Sequence, residues 1–314
     1  MRKAEHFANI MVERFISAVN RGIDLVPVVA DSTSTAKIAP FVKEFPDRLI
    51  NVGIAEQTLI GAAAGLALGG KVAVTCNAAP FLISRANEQV KVDVCYNNTN
   101  VKLFGLNSGA SYGPLASTHH SIDDISIMRG FGNIEIYAPA SPMQCRQIID
   151  YAIDKVGPVY IRMDGKELPE VFEDGYTFNP GQIDQLSDGT DIALIGMGSV
   201  MHEVCDAAER LEKEGVSVKV ICLASIRPCN VADLANKLSG IQYAITVEEH
   251  NVNGGVGALV AEVIAEYGTN TKLKRQGIQD GGYALAADRK SLRAYHGLDA
   301  DGIVAQAHSL IKEH

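Results

Sequence analysis

One carboxylate, Glu56, closes the run NVGIAEQ (Asn51–Gln57) and is followed by the Gly/Ala-rich run TLIGAAAGLALGG; no other charge lies between Arg48 and Lys71. Asn51 to Ile54 reads as a strand end, and Gly61, Ala62, Ala63, Ala64 and Gly65 let the preceding chain lie close against a helix. The desolvation this implies would raise the Glu56 pKa. An acid poised near neutrality can hand a proton to a ring nitrogen or take one back. A plainer role stands beside it, because a carboxylate at the positive end of a helix satisfies backbone donors.

The elements that would position Glu56 alternate. The short β-branched runs LVPVVAD, KVAVTC, VKLFGLN, IEIYAP and PVYIRM each precede a helical pattern or a turn, which predicts a parallel sheet covered by helices on both faces. After Arg162 the segment KELPEVFEDGYTFNPGQIDQLSDGTD loses helical periodicity and is rich in Pro, Gly and Asp, as domain boundaries are. From Asp191 the pattern restarts with DIALIGMG, a helix through His202 to Glu214, VSVKVICLA, a helix near Val231 to Leu238, YAITVEE and a helix from Gly255. The expected organisation is a domain over residues 1–170, a linker over 171–190 and a smaller α/β domain over 191–314. GMGSVMHEV (Gly196–Val204) superficially matches a dinucleotide fingerprint, but only Gly196 and Gly198 are in place and no acid closes a second strand. Those glycines instead let a strand-to-helix turn close.

At 314 residues the chain can bury two full cores. Its 37 acids against 28 bases, net charge -9, with no Lys/Arg cluster, argue against nucleic acid as a partner. The N-terminal MRKAEHFANIMVERF reads as the start of an amphipathic helix, not a signal peptide, and no apolar run reaches membrane-spanning length; a cytoplasmic protein is expected. Cys76, Cys95, Cys145, Cys205, Cys222 and Cys229 are scattered without CxxC spacing, so neither a zinc site nor a disulfide framework is expected.

NVGIAEQ with its Gly/Ala helix, PFLISRANEQV (Pro80–Val90), STHHSIDDISIMRGFGNIEIYAPAS (Ser117–Ser141), GPVYIRMDG (Gly157–Gly165) and TVEEHNVNGGVGALVAEVI (Thr246–Ile264) occur in one order along nearly the whole chain. This order resembles the C-terminal half of a transketolase, in the version split into two subunits. The resemblance implies a thiamine-diphosphate-type, pyrimidine-binding parallel-sheet domain followed by the smaller transketolase C-terminal α/β domain. It also implies transfer of a two-carbon ketol unit from a ketose phosphate to an aldose. In this family the aminopyrimidine of the cofactor is the base, and a protein carboxylate bonded to its ring nitrogen stabilises the imino tautomer. Glu56 matches that glutamate.

The resemblance assigns further positions. Phe81 matches the aromatic that stacks on the pyrimidine. Arg85 falls where many split transketolases also carry Arg, and either faces the cofactor pocket or pairs with Glu88. Asn87 replaces a common Tyr. Asp31, ending LVPVVAD, matches the acid at the carboxyl edge of a strand, where ligands collect in open sheets; the following STST could reach a substrate or cap a helix. His119 matches the histidine beside the reacting carbons, where a neutral imidazole can bond a substrate hydroxyl or shuttle a proton, and His120 replaces Gln. From the residues alone, the two histidines could equally be surface residues or a chance metal pair.

Departures accompany these matches. Asn107 stands where pentose-phosphate transketolases carry a substrate-binding His, Leu115 where they carry an Asp that reads an acceptor hydroxyl, and Gly165, beside Lys166, at the outer phosphate-binding Arg. Arg162 matches an inner arginine, and Arg2 matches an upstream phosphate arginine across an insertion. Substrate contacts are expected from Asn107, His120, Arg2 and Arg162, with an acceptor other than ribose 5-phosphate and a modified or branched ketose as donor. No GDG motif, which in transketolases holds the diphosphate through Mg2+, occurs in the chain. Thiamine diphosphate and Mg2+ would therefore be anchored mainly by a partner, a GDG-containing N-terminal transketolase subunit, in a heterotetramer with shared sites. Three other functions compete: a 1-deoxyxylulose-5-phosphate synthase-like subunit, a 2-oxoacid dehydrogenase beta-like subunit, and a non-catalytic scaffold subunit.

Overall fold

The computed structural model describes residues 4–279, 282–283 and 286–312. The β-branched runs become the parallel strands Leu25–Val29, Val72–Ala78, Val101–Leu106, Glu135–Tyr137 and Val159–Arg162. With Ile50–Asn51 on one edge and Ser225–Arg227 on the other they form a seven-stranded sheet, parallel throughout except for Ser225–Arg227. The inner strands are apolar on both faces because alternate residues enter different cores. Val29, Val74, Phe104 and Ile161 pack with helices Phe7–Asn20 and Pro142–Asp154. Val28, Ala73, Leu103 and Tyr160 pack with helix Glu56–Leu68 and the helical stretch 81–96.

Phe104 is fully buried mid-sheet, its ring edge-on to Phe15 at 5.1 Å. Phe104→Ala should cost about 3–5 kcal/mol of stability, because the strands around it cannot collapse into the space. A denaturant midpoint unchanged from wild type would contradict that packing.

A second, five-stranded sheet runs in the order Lys272–Ile278, Tyr243–Asn251, Ile192–Gly196, Val218–Cys222, Asp184–Ser187, and only the last of these is antiparallel. Helices Met201–Lys213 and Ala300–Lys312 cover one face, and Val231–Leu238 with Val256–Tyr267 the other. The Pro-, Gly- and Asp-rich segment between the sheets is packed: the Phe172 and Tyr176 rings stack at 4.0 Å, and Gln144 of helix Pro142–Asp154 donates to Asp184 at 2.9 Å. Burial pushes the Asp184 carboxyl up to about 6.

The two halves share their cores and one sheet. Ser225–Arg227 lies beyond the second sheet's early strands in sequence, yet it closes the edge of the first sheet, where Arg227 donates to the carbonyls of Phe131 and Arg129. Among the described residues no helix is long and apolar enough to cross a membrane.

Candidate active site

The carboxyl edge of the first sheet gathers polar residues where each strand ends, as parallel sheets do. Glu56 opens its helix just past the strand Ile50–Asn51, and it is 3% exposed. Its carboxylate accepts from its own backbone N–H at the start of the helix, and two side chains reach it as well. Asn77, at the end of Val72–Ala78, donates to Oε1 at 3.3 Å, and Arg85 donates to Oε2 at 2.6 Å. Ser32 in turn donates to the Asn77 carboxamide oxygen at 2.6 Å, which fixes the amide's orientation.

These partners overturn the expected neutral-range Glu56. Burial is the largest single influence and pushes its pKa up, but the bonds from Arg85, from its own backbone N–H and from Asn77 together outweigh it, and the carboxyl sits below its ordinary value. Glu56 is an ionised acceptor as it stands. Sequence reasoning foresaw the burial and missed the Arg85 and Asn77 partners. Asn77 carried a signal all the same: with Thr75 it is one of two polar residues in a mostly apolar strand, and it stands near the strand's end.

Residues Phe81–Arg85 form a π-helical turn, whose wider winding sets Arg85 over Phe81 with the guanidinium carbon 4.6 Å from the ring centroid. Arg85 therefore pairs with Glu56 and not with Glu88. The guanidinium is a flat cation spanning the Phe81 face and the Glu56 carboxylate. The His119 ring stands edge-on to Phe81 at 5.1 Å, and Tyr112 packs edge-on to the same imidazole at 5.3 Å. Thr118 Oγ1 lies 2.9 Å from His119 Nδ1, leaving Nε2 for a ligand. Phe81, Ser84, Arg85, Thr118, His120 and Asp123 line one open cleft.

The other expected residues fall in three groups. Asp31 is exposed at the carboxyl edge in a left-handed conformation (φ 62°), its amide donating to Asn51 at 3.1 Å. Ser32 serves Asn77 and Ala30, not a helix cap. His120 is buried; Nε2 is 2.9 Å from the Gly113 carbonyl, while Nδ1 is buried without a hydrogen-bond partner. Burial pushes its pKa down, so the ring is neutral. Asn107 is half-buried and leans on Gly165, where a Cβ would come within 2.2 Å of its Oδ1.

Arg162 is not brought to the cleft, which corrects its expected place among the substrate contacts. It is 4% exposed, and its donors go to Asp124 and to the carbonyls of Ser121 and Glu249. A strand residue whose neighbours are all buried offers no room for a sugar. Arg2 lies outside the described residues.

Residues of the second half reach this edge through the block EEHNVNGG. Glu248 accepts from Val256 and Gly257 at the start of their helix, and burial pushes its carboxyl up to about 7. His250 is fully buried, and burial pushes it down to about 4. Its neutral ring is 2.6 Å from the Asn251 carbonyl through Nδ1 and accepts from the Ser126 amide at 3.4 Å through Nε2. Arg129 donates to the carbonyls of Gly254 and Gly255. These contacts tie the helix Asp124–Arg129, which follows the turn bearing His119 and His120, to the second half.

Residues 6–170 match the family model described as "Transketolase, pyrimidine binding domain", and residues 181–303 the one described as "Transketolase, C-terminal domain". An apulose-4-phosphate transketolase subunit of Actinobacillus succinogenes is 74% identical over 310 residues, which cover 99% of this chain and 100% of that protein. Its namesake from Phocaeicola vulgatus is 35% identical, with 92% of each chain covered. The solved structure described as "Split gene transketolase, inactive beta4 tetramer" superposes with a TM-score of 0.87 at 31% identity, covering 99% of both chains.

Proposed function

The chain belongs to the transketolase family, carrying its pyrimidine-binding and C-terminal domains, and from that premise we propose that it is one subunit of a thiamine-diphosphate-dependent transketolase acting on apulose 4-phosphate. The observation that carries this reading is the buried Glu56 carboxylate joined to the Phe81 face by a single flat cation, Arg85. A space that accepts a guanidinium across both groups fits an aminopyrimidine ring. When bound, thiamine diphosphate supplies the nucleophilic carbon that takes up the two-carbon ketol unit.

The roles of this chain's own residues follow from their chemistry. Phe81 offers the ring face and Glu56 the acceptor for a ring N–H, while Asn77 and Ser32 hold the carboxylate in plane. Displacement of Arg85 from Oε2 would leave burial as the larger influence on Glu56, and its affinity for a proton would rise. His119, steadied by Thr118, Phe81 and Tyr112, presents an imidazole nitrogen to a substrate hydroxyl. Asp31 stands at the same sheet edge. Asn107 and His120, with its unpaired Nδ1, supply polar groups toward the substrate side.

Among the described residues no cluster of His, Cys, Asp or Glu could hold a metal ion. We assign Mg2+ and the diphosphate to a partner, a GDG-containing N-terminal subunit, and the assembly to a heterotetramer. Support comes from the helix Glu56–Leu68, which is apolar around its circumference from Leu59 onward and leaves Leu68 75% exposed, with Ile54 78% exposed ahead of it. Such surface normally lies against another chain. Residues 1–170 are proposed as the pyrimidine-binding domain, 171–190 as linker and 191–314 as the C-terminal domain. The six unpaired cysteines suit a reducing cytoplasm.

Calorimetry tests the division of labour. The isolated chain titrated with thiamine diphosphate and Mg2+ should give no appreciable heat, and the mixture with a GDG-bearing subunit should bind and turn over apulose 4-phosphate. Tight binding by this chain alone would overturn the assignment of the diphosphate site to a partner. A scaffold role predicts binding without turnover.

A further inference from the structure

We propose that Glu249 is a positioning residue for the reaction: from the second half of the chain it anchors the loop that carries His119. The proposal rests on the assignment of His119 to the substrate cleft.

The loop leaves strand Val101–Leu106 at Asn107 and returns at Ser121, closed by paired backbone bonds between Gly109 and Ser121 at 3.0 and 2.9 Å. Inside it Asn107, Gly109, Gly113 and Ala116 all have left-handed φ angles of 53°, 63°, 51° and 57°. Ala116, with ψ -156°, occupies a region that side-chain-bearing residues avoid, and its carbonyl accepts from the amides of both His119 (2.9 Å) and His120 (3.0 Å). Backbone strained in this way persists only where the surroundings over-determine it. The histidine backbone hangs on the strained residue.

Glu249 is the anchor of those surroundings. It is 2% exposed in strand Tyr243–Asn251, and its Oε1 accepts the Ala110 amide at 2.7 Å. Gly109 permits this approach, since a Cβ there would come within 2.4 Å of the same oxygen. Arg293 donates to Oε2 at 2.5 Å and Arg289 to both oxygens at 3.0 and 3.1 Å. Arg289 also forks onto Asp164 of the first half at 2.8 and 2.5 Å, and both arginines share Ser199 Oγ. Burial alone would push the Glu249 carboxyl up, but these guanidinium groups hold it far below its usual range. On the loop's other side Gly113 rests against the Ala287 carbonyl. A charged clamp with partners in both halves therefore ends on one amide of the His119 loop.

Two variants of the assembled enzyme separate positioning from general support. Glu249→Gln keeps side-chain length and an acceptor oxygen but removes the charge that gathers Arg289 and Arg293. Arg293→Lys keeps every charge but gives up the fork by which Arg293 reaches Glu249, Ser199 and His202 at once. The expected result is a kcat lower by about ten-fold or more in Glu249→Gln and a few-fold lower in Arg293→Lys, because sub-ångström misplacement of a catalytic group is costly. The Kd for thiamine diphosphate should stay within about three-fold of wild type, while the amides of Ala110 and His119 exchange faster relative to strand Val101–Leu106. Unchanged kcat in both variants would overturn the proposal and leave the transketolase function standing. So would parallel loss of kcat, cofactor affinity and melting temperature. Where Glu249→Gln does not assemble, Arg293→Lys decides. A wild-type assembly inactive on every ketose phosphate would strike the proposed function instead, and amide exchange would still decide the clamp.

Discussion

Glu56→Gln is expected to lower turnover of the assembled enzyme by about 10²–10⁴-fold, the range associated with loss of a positioned proton partner, while leaving fold and assembly intact. The fold should tolerate the change because Gln is isosteric and Asn77 can still bond its carboxamide. Arg85, which loses its counter-charge, is 48% exposed and can turn to water. An arginine that accessible gains little from its pair, so its release is not a stability event. Turnover is another matter. A carboxamide accepts a hydrogen bond from a ring N–H but cannot exchange a proton with the ring nitrogen, so the tautomer that the carboxylate favours is lost. Steady-state rates alongside thermal melts separate the two effects, and near-normal turnover in a folded variant would sink the role assigned to Glu56.

The same residue shows where sequence reasoning stopped. Its burial was legible, because uncharged small residues surround it and force close packing. Its ionisation was not, because two of the groups that hold it ionised, Arg85 and Asn77, are 29 and 21 residues away and meet it only once the π-helical turn and the neighbouring strand are in place. Strands showed a similar divide. Apolar runs such as LVPVV (Leu25–Val29) announce themselves because burial on both faces demands continuous hydrophobicity. Ser225–Arg227 did not, since three residues carry no periodicity and their pairing with Glu135–Tyr137 spans the two halves. Arg162 was misplaced for a related reason: a motif match fixes a position in the chain, not the direction of a side chain, and here Asp124 draws it inward at 2.9 Å. The block EEHNVNGG was visible as a family signature, but its work in clamping the histidine loop needs the second sheet in place.

Ribose 5-phosphate is expected to be a poor acceptor, used at least about ten-fold less efficiently than a short aldehyde such as glyceraldehyde 3-phosphate with the donor proposed above. Each hydrogen-bonding partner missing from a site built for a given sugar costs about 1–3 kcal/mol, and the family resemblance implies that Asn107, Leu115 and Gly165 stand where pentose-phosphate transketolases carry His, Asp and Arg. Two of these changes are physically coupled. Asn107 Oδ1 occupies the space that any side chain at position 165 would enter, at 2.2 Å from a Cβ, so the glycine is what allows the asparagine its place. Leu115, two residues before the cleft-lining Ser117, is 51% exposed and offers an apolar surface in place of the acid that the resemblance implies there. Gly165→Arg alone should therefore lower the melting temperature without improving use of ribose 5-phosphate, and only together with a change at Asn107 could the cation find room. Use of the pair xylulose 5-phosphate and ribose 5-phosphate by the wild type as efficiently as any other pair tested would refute the argument from these positions. So would a well-folded Gly165→Arg variant that gains the pentose acceptor unaided, because the coupling between the two sites would then not exist.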